Sequence, residues 1–132
     1  MRVLAGVGVA ALIIVLTPTS ASAATTHRPH FRTPQAAMRY LARAYNRHDD
    51  ARLRHVTTPD ARRDLEAMRA VATNLRLDHC TRSPNGMAFC TFTHDYPSAT
   101  PGMPPQHGGS ADLRVAPVRR SGWVAKGEIG CG

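Results

Sequence analysis

Cys80 and Cys90 are two of three cysteines in the chain and flank Thr-Arg-Ser-Pro-Asn-Gly-Met-Ala-Phe. Thiols at that spacing could staple the chain, hold a metal or serve as a nucleophile. A structural zinc site needs further thiolates or a Cys-x-x-Cys spacing, and neither is present. Ser83-Pro84-Asn85-Gly86 fits a type I turn closed by a glycine in the left-handed region, a common hairpin loop. That loop opposes Ser83 to Met87, Arg82 to Ala88, Thr81 to Phe89 and therefore Cys80 to Cys90. Counting from the turn, the pair falls at a non-hydrogen-bonded position, where side chains come closest. A disulfide there would add on the order of 2–3 kcal/mol, mainly by restricting the unfolded chain. Pairing of Cys131 with either cysteine is the alternative, leaving a different orphan. Otherwise Cys131, next to last, is a buried free thiol or an intermolecular disulfide partner.

Two titratable residues invite an acid–base reading. His79 and Asp95 are expected on the strand face that carries Leu75, Leu77, Met87 and Phe89, and a buried carboxylate or imidazole can move protons. The hairpin register opposes His79 to Thr91, which places Asp95 four residues further along, roughly 13 Å away at strand spacing. A dyad is not expected. His94-Asp95-Tyr96-Pro97 reads as a strand end, and each residue reads more simply as a rim or hydrogen-bonded core group. A third chemistry concerns His27. Cleavage after Ala24 would leave Thr25-Thr26-His27, whose four nitrogens suit square-planar Cu(II) or Ni(II). Cleavage after Ala23 makes His27 the fourth residue and spoils the site. Met103 and His107 add soft or imidazole ligands in a loop. The chain has no Gly-rich phosphate loop, His-Glu-x-x-His helix or Gly-x-Ser-x-Gly elbow, and no cofactor is expected.

The elements that must position these groups can be read from caps and periods. Thr33-Pro34 opens a helix with Thr as N-cap and Pro in the first turn. Ala37, Met38, Leu41, Ala44, Tyr45 and His48 then recur on one face, and Arg39, Arg43 and Arg47 form a stripe on the other. Ala51 to Val56 adds a short turn capped by Asp49 or Asp50. Thr58-Pro59 repeats the opening signal, with Ala61, Leu65, Met68 and Ala72 as the apolar stripe. From Leu75 the period falls to two, giving a strand to Arg82 and a returning strand from Met87 to Tyr96. Asp112 to Val118 and Trp123 to Cys131 flank Arg119-Arg120-Ser121-Gly122 as a second hairpin. There Leu113 is expected opposite Ile129, Val115 opposite Gly127 and Arg114 opposite Glu128. Helices followed by two antiparallel hairpins make an α+β protein, its N-terminal helices packed on a curved sheet of about four strands.

Thr-Pro-Gln-Ala-Ala-Met-Arg-Tyr-Leu-Ala-Arg-Ala-Tyr-Asn-Arg (33 to 47), with the short helices and curved sheet after it, resembles the nuclear-transport-factor-like superfamily. More narrowly it is similar to small secreted actinobacterial proteins with that cone-shaped fold. The resemblance covers roughly residues 33 to 131 and rests on pattern rather than on a catalytic signature. It implies a groove between helices and sheet. It also implies either a non-enzymatic binding module or an isomerase- or cyclase-like enzyme using Asp95 or His79, since the fold does not assign the function.

The ends and the composition bound the rest. Met1-Arg2, the apolar run from Val3 to Leu16 and the small residues Ala21-Ser22-Ala23 form a signal-peptide pattern over residues 1–24. The run is shorter than the about 20 residues that a membrane span needs. Cleavage leaves one small domain of about 108 residues, with a flexible segment at 25–32 and the folded domain at 33–132. Pro97 to Gly109, rich in Pro and Gly, should be the least ordered internal stretch. The formal net charge is +8, and all but Lys126 of the 17 basic residues are Arg. Clustered positive charge can mark nucleic-acid binding, but an exported protein rarely meets nucleic acid. The arginine stripe reads first as a solvated face and second as a surface for an anionic cell-envelope partner. The expected protein is therefore secreted, with a small molecule or envelope component as its partner. The odd cysteine leaves a homodimer open.

Overall fold

The computed structural model describes residue 14 and residues 27–131, with the side chains of 128–131 outside that description. Residues 1–13 and 15–26, which hold most of the expected signal peptide and its expected cleavage site, and the Cys131 thiol thus lie outside the described residues. Three helices come first: α1 (Pro34–Asn46), α2 (Asp50–Val56) and α3 (Pro59–Met68). Four strands follow: β1 (Thr73–Arg82), β2 (Ala88–Tyr96), β3 (Gln106–Val118) and β4 (Gly122–Cys131). They form one antiparallel sheet in the order β1-β2-β3-β4, curved and unclosed. This is the expected α+β arrangement.

The helix starts follow local chemistry. The Thr33 hydroxyl accepts from the Ala36 amide and the Thr58 hydroxyl from the Ala61 amide. Each satisfies one of the orphan donors of a first turn in which proline needs none. Asp49 does the same for α2, accepting from the Arg52 amide. The apolar stripe of α1 (Ala37, Met38, Leu41, Ala44, Tyr45) is fully buried, as are Leu53 and Val56 of α2 and Leu65 of α3. They close over Leu75, Cys90, Phe92, Leu113, Val115 and Ala125 on the sheet. Phe92 is the largest wholly enclosed side chain. Among the described residues these side chains form one packed cluster, and a hollow between the helical layer and the sheet remains at its margin, between α3 and strands β3 and β4.

Both sheet edges are tied to the helical layer. The Asn46 side chain, at the end of α1, donates to the Leu75 carbonyl (2.9 Å) and accepts from the Leu75 amide (2.7 Å). It thereby completes one residue's worth of ladder on the free edge of β1. On the other edge, Thr57 bridges Ala125 in parallel and the Thr58 amide donates to the Ala125 carbonyl. Capping part of each edge limits strand addition by other chains.

Four expectations need correction. Phe89 is 51% exposed, while Ala88, Cys90 and Phe92 face the core. The odd-numbered Leu75 and Leu77 share that core side with Cys80 because a register shift between Leu77 and His79 inverts the alternation. An unpaired extra residue has that effect on a strand. His48 is exposed, because α1 ends at Asn46 and His48 takes a left-handed φ of 54°. In the second hairpin Val115 pairs with Ala125 and Arg114 with Lys126, whereas Leu113 pairs with Ile129 as expected. Next to the loop each partner on β4 lies two residues nearer Gly122 than expected, and residues 127 and 128 are skipped at the register shift between Leu113 and Arg114. Finally, β3 begins at Gln106, so residues 106–109 are strand rather than loop.

Candidate functional site

The hairpin cysteines behave as their register predicts. Cys80 pairs with Cys90 on the ladder, and the two stand at disulfide distance with Cα atoms 4.0 Å apart. Cys90 is fully buried and Cys80 packs against the same core cluster. Enclosed in this way, the pair has the setting of a staple rather than of an exposed reactive thiol.

Asp95 and His79 are not brought together. His79 pairs with Thr91 on the ladder, and its exposed ring contacts Asp78, Nδ1 lying 2.8 Å from the carboxylate. Asp95 is buried at the other end of β2 and is surrounded by donors. Arg76 Nη2 donates to Oδ1 at 3.0 Å, Asn74 Nδ2 donates to Oδ2 at 2.9 Å, and His107 Nδ1 lies 2.7 Å from Oδ1. The Arg76 hydrogen bond, followed by those of His107 and Asn74, holds the carboxyl well below the usual carboxylate range. A carboxylate stabilised in this way is a poor proton acceptor near neutral pH, where a general base works best with a pKa close to the operating pH. Beside it the buried His94 ring lies against Gly109, at a position where any Cβ would collide with the imidazole. The arrangement reads as a polar latch joining the ends of β1, β2 and β3.

Open concavities lie elsewhere. One, of about 590 Å³, runs between α1, α2 and the segment that precedes α1. Tyr40 and Arg43 of α1 form one wall, Arg52 and His55 of α2 the other, and His27 and Pro29 the rim. The rim is positioned by three contacts. The Phe31 amide donates to the Ser121 carbonyl, the Phe31 ring packs on Tyr40 with centroids 5.1 Å apart, and Arg28 Nε donates to Ser121 Oγ. Gly122 makes that approach feasible: its φ is +81°, and a Cβ there would collide with the Phe31 carbonyl. The segment expected to be flexible at 25–32 is thus tied to the second hairpin over its described part.

The groove is cationic. Arg52 pairs with Asp49 at 3.3 Å, whereas Arg43 has no ion-pair partner among the described residues. Arg39 and Arg47 extend the positive charge along the exposed side of α1, as the four-residue spacing predicts. Partial burial raises the Tyr40 hydroxyl pKa above its ordinary value against the opposing pull of Arg52, so it stays a neutral donor. His27 sits at this rim, and no cluster of three metal-ligating side chains occurs among the described residues. Two smaller concavities stand apart: one of about 350 Å³ by Asp60, Asp64 and Lys126, and one of about 270 Å³ by Tyr45, Arg69 and Asn74. Asp95 and His79 line none of the three.

Sequence reasoning found Arg39, Arg43 and His27 but missed Tyr40, Arg52 and His55 as groove residues. Tyr40 and Arg43, three apart on one helix, carried a usable signal. The facing wall from α2 did not, because the angle between two short helices is set by packing. The partners Arg76, Asn74 and His107 were equally hidden, since the shift at His94/Asp95 determines which strand end meets which. No helix among the described residues is long and apolar enough to cross a membrane. No family model, curated protein or solved structure matches the chain.

Proposed function

We propose that this protein is an exported, non-enzymatic binding module that takes an anionic cell-envelope component along α1 and the α1–α2 groove. The observation that carries the proposal is the cationic groove of about 590 Å³, whose Arg43 has no ion-pair partner among the described residues and adjoins the exposed Arg39 and Arg47. Guanidinium groups are weakly hydrated, planar donors suited to carboxylate and phosphate oxygens. A row of them four residues apart matches a polymer with repeating charge better than it matches a single small anion. Export rests on the leader pattern at 1–24 and is compatible with a disulfide-distance pair, since such bonds persist in oxidising compartments. The order of helices before sheet agrees with the nuclear-transport-factor-like kinship that we propose on pattern. The alternative, an isomerase- or cyclase-like enzyme, would need Asp95 or His79 as base. The triply bonded, ionised Asp95 and the surface-paired His79 lend it less support.

The test is binding of the mature protein to a soluble polyphosphate, with neutral dextran as control. The expected result is binding to polyphosphate alone that weakens steeply with salt, because exposed charges are screened over about 8–10 Å at physiological ionic strength. A variant carrying Arg39→Gln, Arg43→Gln and Arg47→Gln should bind about tenfold or more weakly, in line with the loss of several charge-assisted contacts. Equal binding by that variant would overturn the proposal.

A further inference from the structure

The concavity of about 270 Å³ lies between the turn after α1 and the start of β1, bordered by Tyr45, His48, Arg69, Thr73 and Asn74. Arg69 caps the C-terminus of α3. Its guanidinium lies over the Tyr45 ring, 5.5 Å from the centroid, and Nη1 donates to the Asp50 carboxylate at 3.0 Å. The remaining edge is unused: Nε and Nη2 are buried and have no hydrogen-bond acceptor among the described residues. Buried donors are ordinarily satisfied, and leaving them unpaired is costly. The Nε–Nη2 edge is also a fork that can hold two oxygens of one carboxylate or phosphate side by side.

The other polar groups around this cavity divide into spent and unspent. The Tyr45 hydroxyl donates to the Ala72 carbonyl, and the Asn46 amide is consumed by Leu75. The Asn74 amide uses one N–H on Asp95 and keeps a second. The His48 imidazole has no partner among the described residues. The two carboxylates that touch these residues are already compensated, Asp50 by Arg69 itself and Asp95 by Arg76. The unspent capacity of the Arg69 side chain is therefore for donation only, and Asn74 adds a second N–H beside its carbonyl oxygen.

We propose that this cavity is a binding site for a small oxyanion, the carboxylate or phosphate group of a compact ligand. In it Arg69 Nε and Nη2 grip two oxygens, and Asn74 and His48 complete the contacts. The site is separate from the α1–α2 groove, whose Arg43, Arg52 and His55 do not border it, and it does not depend on the function proposed above.

Thermal unfolding of the mature protein in rising inorganic phosphate, or in rising acetate, tests the site at ionic strength held constant with sodium chloride. Phosphate, acetate or both should raise the melting temperature saturably, as binding to the native state alone requires. Which of them does so tells phosphate from carboxylate. Arg69→Lys keeps a charge for Asp50 but loses the fork, and should weaken the apparent affinity about tenfold. Arg43→Gln with Arg52→Gln removes any anion held in the α1–α2 groove and should leave a saturable response that still depends on Arg69. A wild-type response to neither anion, an unchanged response in Arg69→Lys, or loss of the response in the groove variant would each overturn the site.

Discussion

Asp95 shows how a residue with catalytic credentials can be committed to architecture. Its three donors come from two other strand ends, so ionisation and folding are linked. The linkage has a definite sign. The folded pKa lies below that of the unfolded carboxyl, about 3.9, so the stabilisation is fully present above the unfolded value and is lost as pH falls through the folded one. Asp95→Asn should therefore lower the urea midpoint at pH 7 and differ less from wild type near pH 3. A pH-independent difference between the two proteins would contradict the latch. His48 offers a second test at this scale. A non-glycine residue in the left-handed region carries a steric penalty, so His48→Gly should stabilise the fold by about 0.5 kcal/mol, read from the same urea transitions. An unchanged or lowered midpoint would mean that the exposed imidazole makes a contribution of its own.

At the scale of elements, the first hairpin and the β1 edge carry the clearest expectations. Reduction of Cys80–Cys90, or its replacement by a serine pair, should cost about 2–3 kcal/mol in chemical denaturation, the usual value for closing a short loop. Asn46→Ala removes both partners of the Leu75 backbone at once and should cost about 1–3 kcal/mol. Much of this layer was legible in the sequence because it is locally encoded. Thr33-Pro34, Thr58-Pro59 and the Ser83–Gly86 loop each carry their own geometry, and the Cys80–Cys90 register follows from the loop alone. What stayed hidden was decided between elements. The shifts at Leu77/His79, Leu113/Arg114 and His94/Asp95 reverse or slide the pattern of a strand. Those irregularities turned Phe89 outward and assembled the donors around Asp95, so the latch could not be read from strand alternation.

Across the whole molecule, charge and cysteine state define what can be measured. Intact mass of the protein from its native host, alkylated in denaturant, should show one adduct without reduction and three after it, since two of the three cysteines are paired. The same spectrum tests the expected cleavage after Ala23 or Ala24, and with it the expected position of His27 in a mature chain. A net charge of +8 attracts polyanions whatever the shape of the surface, so affinity alone is a blunt readout of the proposed function. The location of the contact is the sharper one. The most direct measurement is a two-dimensional amide NMR titration of the mature protein with soluble polyphosphate. The account predicts perturbations concentrated at Tyr40, Arg43, Arg52 and His55, reaching Arg39 and Arg47 along α1. Perturbations scattered over all the arginine-bearing surfaces, with Arg114 and Arg119 moving as much as Arg43, would contradict it.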